Sequence, residues 1–258
     1  MRKKTKHEKK KADHYDDPKH NYLHYWDGRD YEHAAEEIAL KRILKNKTFK
    51  TAIDIGGGYG RLSQLLSGYA DSVYLLEPSK QQLDIAKEYL KDNDKVKQKQ
   101  MQADDLHFDD KSIDLAIMVR VMHHLPDPST ELNEIFRVLD DDGLFILELA
   151  NYAHARNRLK HFAKGEKLPL DPVDIRSPKN KKQDSVAFVN HNPKTVVKQL
   201  AHAGFKVESV LSVSNLRSQK LKKLLPRQLM LKAENILQPT LSRFYFGPSI
   251  FFIIKKAK

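Results

Sequence analysis

Three groups of residues have types and spacings that could do chemistry. The first is Asp54-x-Gly56-x-Gly58-x-Gly60. Glycine lets a backbone approach a ligand closely and adopt φ > 0 without a Cβ clash. If a helix starts at once behind such a turn, its first N–H groups point at the ligand. The second is Glu77, 21 residues beyond Gly56 at the end of an apolar run. A carboxylate there can accept hydrogen bonds from two vicinal hydroxyls. The third is Arg120-Val-Met-His123-His124. Arginine can hold an anion, and histidine can take or give a proton near neutral pH. Either histidine could equally be a packed structural residue. Adjacent histidines do not share a helix face, so no metal site is expected from them.

Positioning these groups needs strands that end where they begin. Thr51–Ile55 reads as a short buried strand, followed by Leu62, Leu65, Leu66 and Tyr69 at helical spacing. Ser72–Leu76 is a second strand. Ser79 caps the next helix, with Gln82 completing a capping box. Further strands are expected at Val96–Met101, Ile113–Val119, Gly143–Glu148 and Phe205–Ser212, with helices around Leu132–Leu139 and from Asn192–Pro193 to Gly204. Ser249–Ile254 reads as a last strand, at an edge or in a hairpin. The alternation predicts an α/β fold: a doubly wound, mostly parallel sheet with helices on both faces.

The glycine register decides between cofactor classes. A dinucleotide fingerprint G-x-G-x-x-G starting at Gly56 requires Gly or Ala at 61, and Arg61 is there. The stretch instead resembles the cofactor loop of class I S-adenosylmethionine (SAM)-dependent methyltransferases, an acidic residue followed by G-x-G-x-G. The resemblance runs over about residues 50–212. It implies a seven-stranded-type sheet, SAM as cofactor, and a cofactor site of Asp54, Gly56, Gly57, Gly58, Gly60, Glu77 (ribose), Gln102 with the Ala103 N–H (adenine) and Arg120. The family places an aspartate where Gln102 stands, so Asp104 is the second candidate for the adenine. His123, then His124, are the candidate general bases; Arg120 could instead hold an anionic acceptor.

The segments outside the alternation are expected to cover the acceptor side. They comprise residues 20–33, an insertion at about 150–191 and a helical insertion at about 214–245. In the first, Tyr25, Trp26, Arg29 and Tyr31 either help to close the site or staple the leading helix, which Asp30 is expected to cap.

Composition narrows the remaining classes. The chain has 258 residues, no cysteine and a net charge of +12. Disulfides and thiolate metal sites are therefore excluded. Residues 1–11 carry seven Lys/Arg and one Glu, half of the net charge, and residues 1–20 read as a basic disordered tail before a single domain at 21–258. The start is not a signal peptide, and no apolar run would span a bilayer. The expectation is a cytoplasmic enzyme that methylates a small-molecule or lipid-like acceptor. An RNA methyltransferase, using the tail on nucleic acid, is the alternative. An NAD-dependent oxidoreductase and a non-catalytic methyltransferase-like binding protein stand behind it.

Overall fold

The computed structural model describes residues 28–182 and 186–257. The basic tail, Tyr25 and Trp26 lie outside them.

In chain order the elements are α1 (Asp30–Leu44), β1 (Phe49–Ile55), α2 (Arg61–Leu66), β2 (Ala70–Leu76), α3 (Lys80–Tyr89), β3 (Val96–Lys99) and β4 (Ile113–Met118). A 3-10 turn at Met122–His124 precedes α4 (Ser129–Val138) and β5 (Leu139–Ala150). The insertion then forms α5 (Ala155–Ala163), β6 (Val173–Asp174), α6 (Pro178–Lys182) and β7 (Val189–Asn190). The chain continues through α7 (Pro193–His202), β8 (Phe205–Val213), α8 (Gln219–Leu224), α9 (Arg227–Thr240) and β9 (Ser249–Lys256).

Seven strands form one sheet in the order β3-β2-β1-β4-β5-β9-β8, and β6 and β7 form a separate ribbon. The pairs β3–β2, β2–β1, β1–β4 and β4–β5 are parallel. β9 is antiparallel to both of its neighbours.

Side chains alternate across the sheet, and both faces are covered. Ile53, Ile55, Ala116, Met118, Phe145 and Leu147 pack on one face with Leu132 of α4 and Leu200 of α7. Ala52, Leu115, Ile117 and Ile146 pack on the other with Ala39 and Ile43 of α1 and Leu62 of α2. This is why the central strands read as continuous apolar runs rather than alternating ones.

Local signals account for the starts of two helices, α3 and α7. Ser79 Oγ accepts from the Gln82 N–H at 3.2 Å. The reciprocal half of the expected box is not made, because the buried Gln82 amide atoms have no hydrogen-bond partner among the described residues. Asn192 Oδ1 accepts from the Lys194 N–H at 3.1 Å, with Pro193 in the first helical turn. Asp30 is not the cap of α1. Arg29 holds that position, and Asp30 lies inside the first turn, where its charge meets the positive end of the helix.

The last strand also departs from expectation. It does pair with β8, but β9 is internal, and β8 forms the edge. Phe251, Phe252 and Ile254 are wholly buried, and β9 reaches solvent only toward its end, at Lys255.

Candidate functional site

The parallel registers bring Ile55, Leu76 and Met118 level, so the carboxyl ends of β1, β2 and β4 open on one crevice. The chain order reverses at β1, between β2 and β4. In open α/β sheets ligands bind at such a switch point.

The glycine turn forms the floor of this crevice. Gly56, Gly58 and Gly60 have φ of +65°, +59° and +88°, the left-handed region. The Gly56 N–H donates to the Leu76 carbonyl at 2.7 Å, which folds the turn toward β2. Gly57 is required by space: a Cβ there would stand 2.6 Å from Asp54 Oδ2 and would also collide with Leu75.

Glu77 is nearly buried, and its carboxylate is aimed by backbone. Oε2 accepts from the Gly58 N–H and Oε1 from the Ser79 N–H, both at 3.0 Å. These bonds tie the strand-end carboxylate to the glycine turn and to the start of α3.

Asp54 lies beneath the turn, 1% exposed, with Oδ2 accepting from Ser63 Oγ at 2.7 Å. Its contacts hold the first turn of α2. Burial pushes its carboxyl up to about 6, against the opposing pull of Ser63 and Arg61. Gln102 is exposed just beyond β3, and Ala103 beside it is half-buried.

Beyond β4, Arg120 adopts φ +62°, unusual for a residue with a side chain. Its N–H donates to Glu148 Oε2 at 3.0 Å, and its Nε donates to Glu36 Oε1 at 2.7 Å. Arg61 pairs with the other oxygen of Glu36. A buried carboxylate on α1 thus clamps a cation from each side of the crevice. Burial alone would raise Glu36, but Arg61 and Arg120 together hold it below the usual carboxylate range. Glu148 is pushed the other way by burial and by Glu36, despite the nearby Arg120.

His123 is buried, with its ring centroid 4.1 Å from that of His124 and 4.3 Å from Phe188. Burial, together with His124 and Arg120, holds its imidazole neutral well below the ordinary histidine range. His124 Nδ1 is 2.8 Å from the Ala187 carbonyl, and His191 Nε2 is 2.9 Å from the Met122 carbonyl. The insertion is therefore fastened to the histidine turn, and Phe188 forms one wall there.

Tyr31 is placed elsewhere. Its hydroxyl donates to Glu234 Oε2 of α9 at 2.6 Å and accepts from the Leu216 N–H at 3.1 Å. It joins α1 to α9 rather than facing the crevice. Arg29 is exposed at the head of α1. α8 and α9 likewise lie against α1, where Lys222 Nζ pairs with Glu32 and Gln238 Nε2 donates to the Ala35 carbonyl. Sequence reasoning missed Glu36, Glu148, Phe188 and His191. Glu36 carried one signal, a carboxylate beside Ala35 and Ala39 on the apolar face of α1.

Residues 53–147 match the family described as Methyltransferase domain. The uncharacterized methyltransferase YcgJ of Bacillus subtilis is 28% identical over 57% of this chain and 60% of its own length. The uncharacterized methyltransferase Bcer98_3087 of Bacillus cytotoxicus is 30% identical over 51% of this chain and 66% of its own length. The match thus spans under two thirds of each relative.

The same architecture occurs in a Haloferax volcanii protein solved with the Trm112 methyltransferase activator. Its TM-score is 0.64 at 18% identity, covering 92% of this chain and 95% of that one. It occurs again in an S-adenosylmethionine-dependent methyltransferase of Mesorhizobium loti, with a TM-score of 0.59 at 17% identity over 88% and 100%. Residues 53–147 thus match a methyltransferase domain, within a sheet that has the class I methyltransferase fold, and the cofactor of that class is SAM.

Proposed function

We propose that this protein transfers the methyl group of SAM to a small-molecule or lipid-like acceptor at the carboxyl ends of β1, β2 and β4. The observation that carries the reading is Glu77, held by the N–H groups of Gly58 and Ser79. A carboxylate has about four lone-pair sites, and these two bonds orient it for a pair of vicinal hydroxyls. A ribose offers that pair. The donor set around it suits SAM: left-handed glycines for close approach, an exposed amide at Gln102, and the Ala103 N–H for an adenine edge.

When bound, SAM supplies a methyl group on a positively charged sulfur. The chain's residues then orient and shield. Gly56–Gly60 set the approach of the backbone. Asp54 holds α2 in place through Ser63, so its part is positioning. Arg120, fixed by Glu36 and Glu148, shapes the crevice wall rather than offering an uncommitted cation. His123 is neutral and walled by Phe188, which leaves it a proton-accepting nitrogen for an acceptor that must lose a proton, although burial weakens it as a base. Most of the rate gain would come from holding the acceptor in line and excluding water. The insertion at 150–191, fastened through His124 and His191, supports a lid role on that side.

Calorimetry tests the reading. The purified chain should bind SAM and its demethylated product, and NAD far more weakly. Glu77→Gln should weaken SAM binding by about 1.5–3 kcal/mol with the fold intact. NAD binding without SAM binding overturns it. Methylation of RNA that falls steeply with salt would replace the small-molecule acceptor with the alternative.

A further inference from the structure

α5 is built inside out. It buries none of its residues. The side that faces the protein is polar: Asn157 Nδ2 donates to the Tyr152 carbonyl at 2.8 Å, His161 Nε2 lies 3.2 Å from Tyr152 Oη, and Arg158 Nε donates to the Ala153 carbonyl at 2.6 Å. The side that faces outward is apolar. Leu159 is 69% exposed and Phe162 83%, three residues apart and so on one face. A helix supported only by polar contacts gains nothing from two large exposed apolar side chains, since burying each would contribute about 1.5–3 kcal/mol.

The charge around this stripe is one-sided. Arg156, Lys160 and Lys164 are exposed beside it, Lys167 follows, and Glu166 is the one acidic residue between 154 and 167. The stripe also has an apolar neighbour. The Ala155 N–H donates to the Phe246 carbonyl at 3.0 Å, which sets the head of α5 against a segment whose Phe244 and Phe246 are 60% and 40% exposed. Arg243 is exposed in that segment too.

Among the described residues, no helix is long and apolar enough to cross a membrane. A short helix with an outward Leu/Phe stripe flanked by Lys and Arg instead suits the interface of a bilayer. There the apolar side chains enter the headgroup boundary and the cations meet anionic lipid. A nucleic acid would use the cations, and a single strand could stack a base on Phe162, but Leu159 would gain little there, whereas a bilayer takes up both side chains.

We propose that α5, with Phe244 and Phe246 beside its head, docks this protein on an anionic lipid surface. The proposal stands apart from methyl transfer. It does place at the bilayer the insertion whose Ala187, Phe188 and His191 contact the histidine turn.

The test uses the full chain and vesicles of phosphatidylcholine, with or without phosphatidylglycerol. The basic residues 1–11 supply an electrostatic background, so the readout must report apolar insertion. The chain has no cysteine, and Phe162→Cys labelled with an environment-sensitive fluorophore reports position 162 alone. The expected result is a blue-shifted, brighter emission with anionic vesicles and little change with neutral ones. In co-sedimentation, the double variant Leu159→Ser, Phe162→Ser should lose about tenfold or more in affinity for anionic vesicles. Its circular dichroism and SAM affinity should match the parent, since α5 buries nothing. The proposal fails if the label stays in water with anionic vesicles, or if the double variant binds them like the parent. It also fails if the double substitution instead abolishes self-association or binding to single-stranded RNA while vesicle binding persists, which would assign the stripe to a second copy or to nucleic acid.

Discussion

Arg120 Nε stands 2.7 Å from Glu36 Oε1, a contact between residues 84 apart in sequence. Arg61 holds the other carboxylate oxygen. One buried anion on α1 therefore fixes both the first turn of α2 and the turn after β4. Removing one member of a buried pair leaves an uncompensated charge, which costs more than the pair contributes. Glu36→Gln should destabilise the fold by about 3 kcal/mol and weaken SAM binding, because both walls of the crevice lose their tie. Denaturant unfolding followed by calorimetry checks this. A variant as stable as the parent would show that the clamp is not structural.

The Asp54 carboxyl, raised from 3.8 to about 6, makes a pH-dependent contribution. A group whose folded pKa is raised adds stability below its unfolded pKa and loses it as pH rises through the folded value. Relative to Asp54→Asn, the parent should therefore lose about 3 kcal/mol of stability between about pH 4 and pH 7. Paired unfolding curves at several pH values give the difference directly. A difference independent of pH contradicts the raised pKa.

Tyr31→Phe removes a hydroxyl that serves both the Glu234 carboxylate and the Leu216 N–H. The expected cost is about 1–3 kcal/mol of stability, with an unchanged SAM dissociation constant. A normal melting curve with impaired turnover would return Tyr31 to the substrate side.

Gly57→Ala should destabilise the chain by at least about 1 kcal/mol and weaken SAM binding, because its Cβ meets Leu75 and Asp54. Gly68→Ala is the matched control, since its new Cβ finds nothing nearer than the Leu65 carbonyl oxygen at 3.4 Å. Equal effects of the two substitutions would remove the packing argument for Gly57.

The alternating plan and the glycine turn were legible because both depend on local pattern. Apolar runs of strand length end at Ile55, Leu76 and Val119, with chemistry directly after each. Contacts across long separations were not legible. Nothing near Tyr31 announces Glu234, and nothing near Arg120 announces Glu36. β9 illustrates the same limit: its apolar run marks a strand, but only the pairing with β5 on one side and β8 on the other makes it internal. The segment that holds α5 read only as an insertion outside the alternation; that it forms a helix, and the direction of that helix's apolar face, depend on contacts such as those of Tyr152 and Ala153 with its polar side.

The place of β9 also sets an order of events during synthesis. Five parallel strands, β1 to β5, are complete once residue 150 has been made, and they form a continuous half-sheet. In the native sheet β8 reaches them only through β9, since the slot beside β5 belongs to residues 249–256. Until those residues leave the ribosome, the growing chain carries an open edge along Phe145–Ala150 and a detached β8. That edge is a template for any other extended segment. The interval between residues 150 and 256 is thus when this protein is most exposed to misassociation, and when a chaperone would have most to protect.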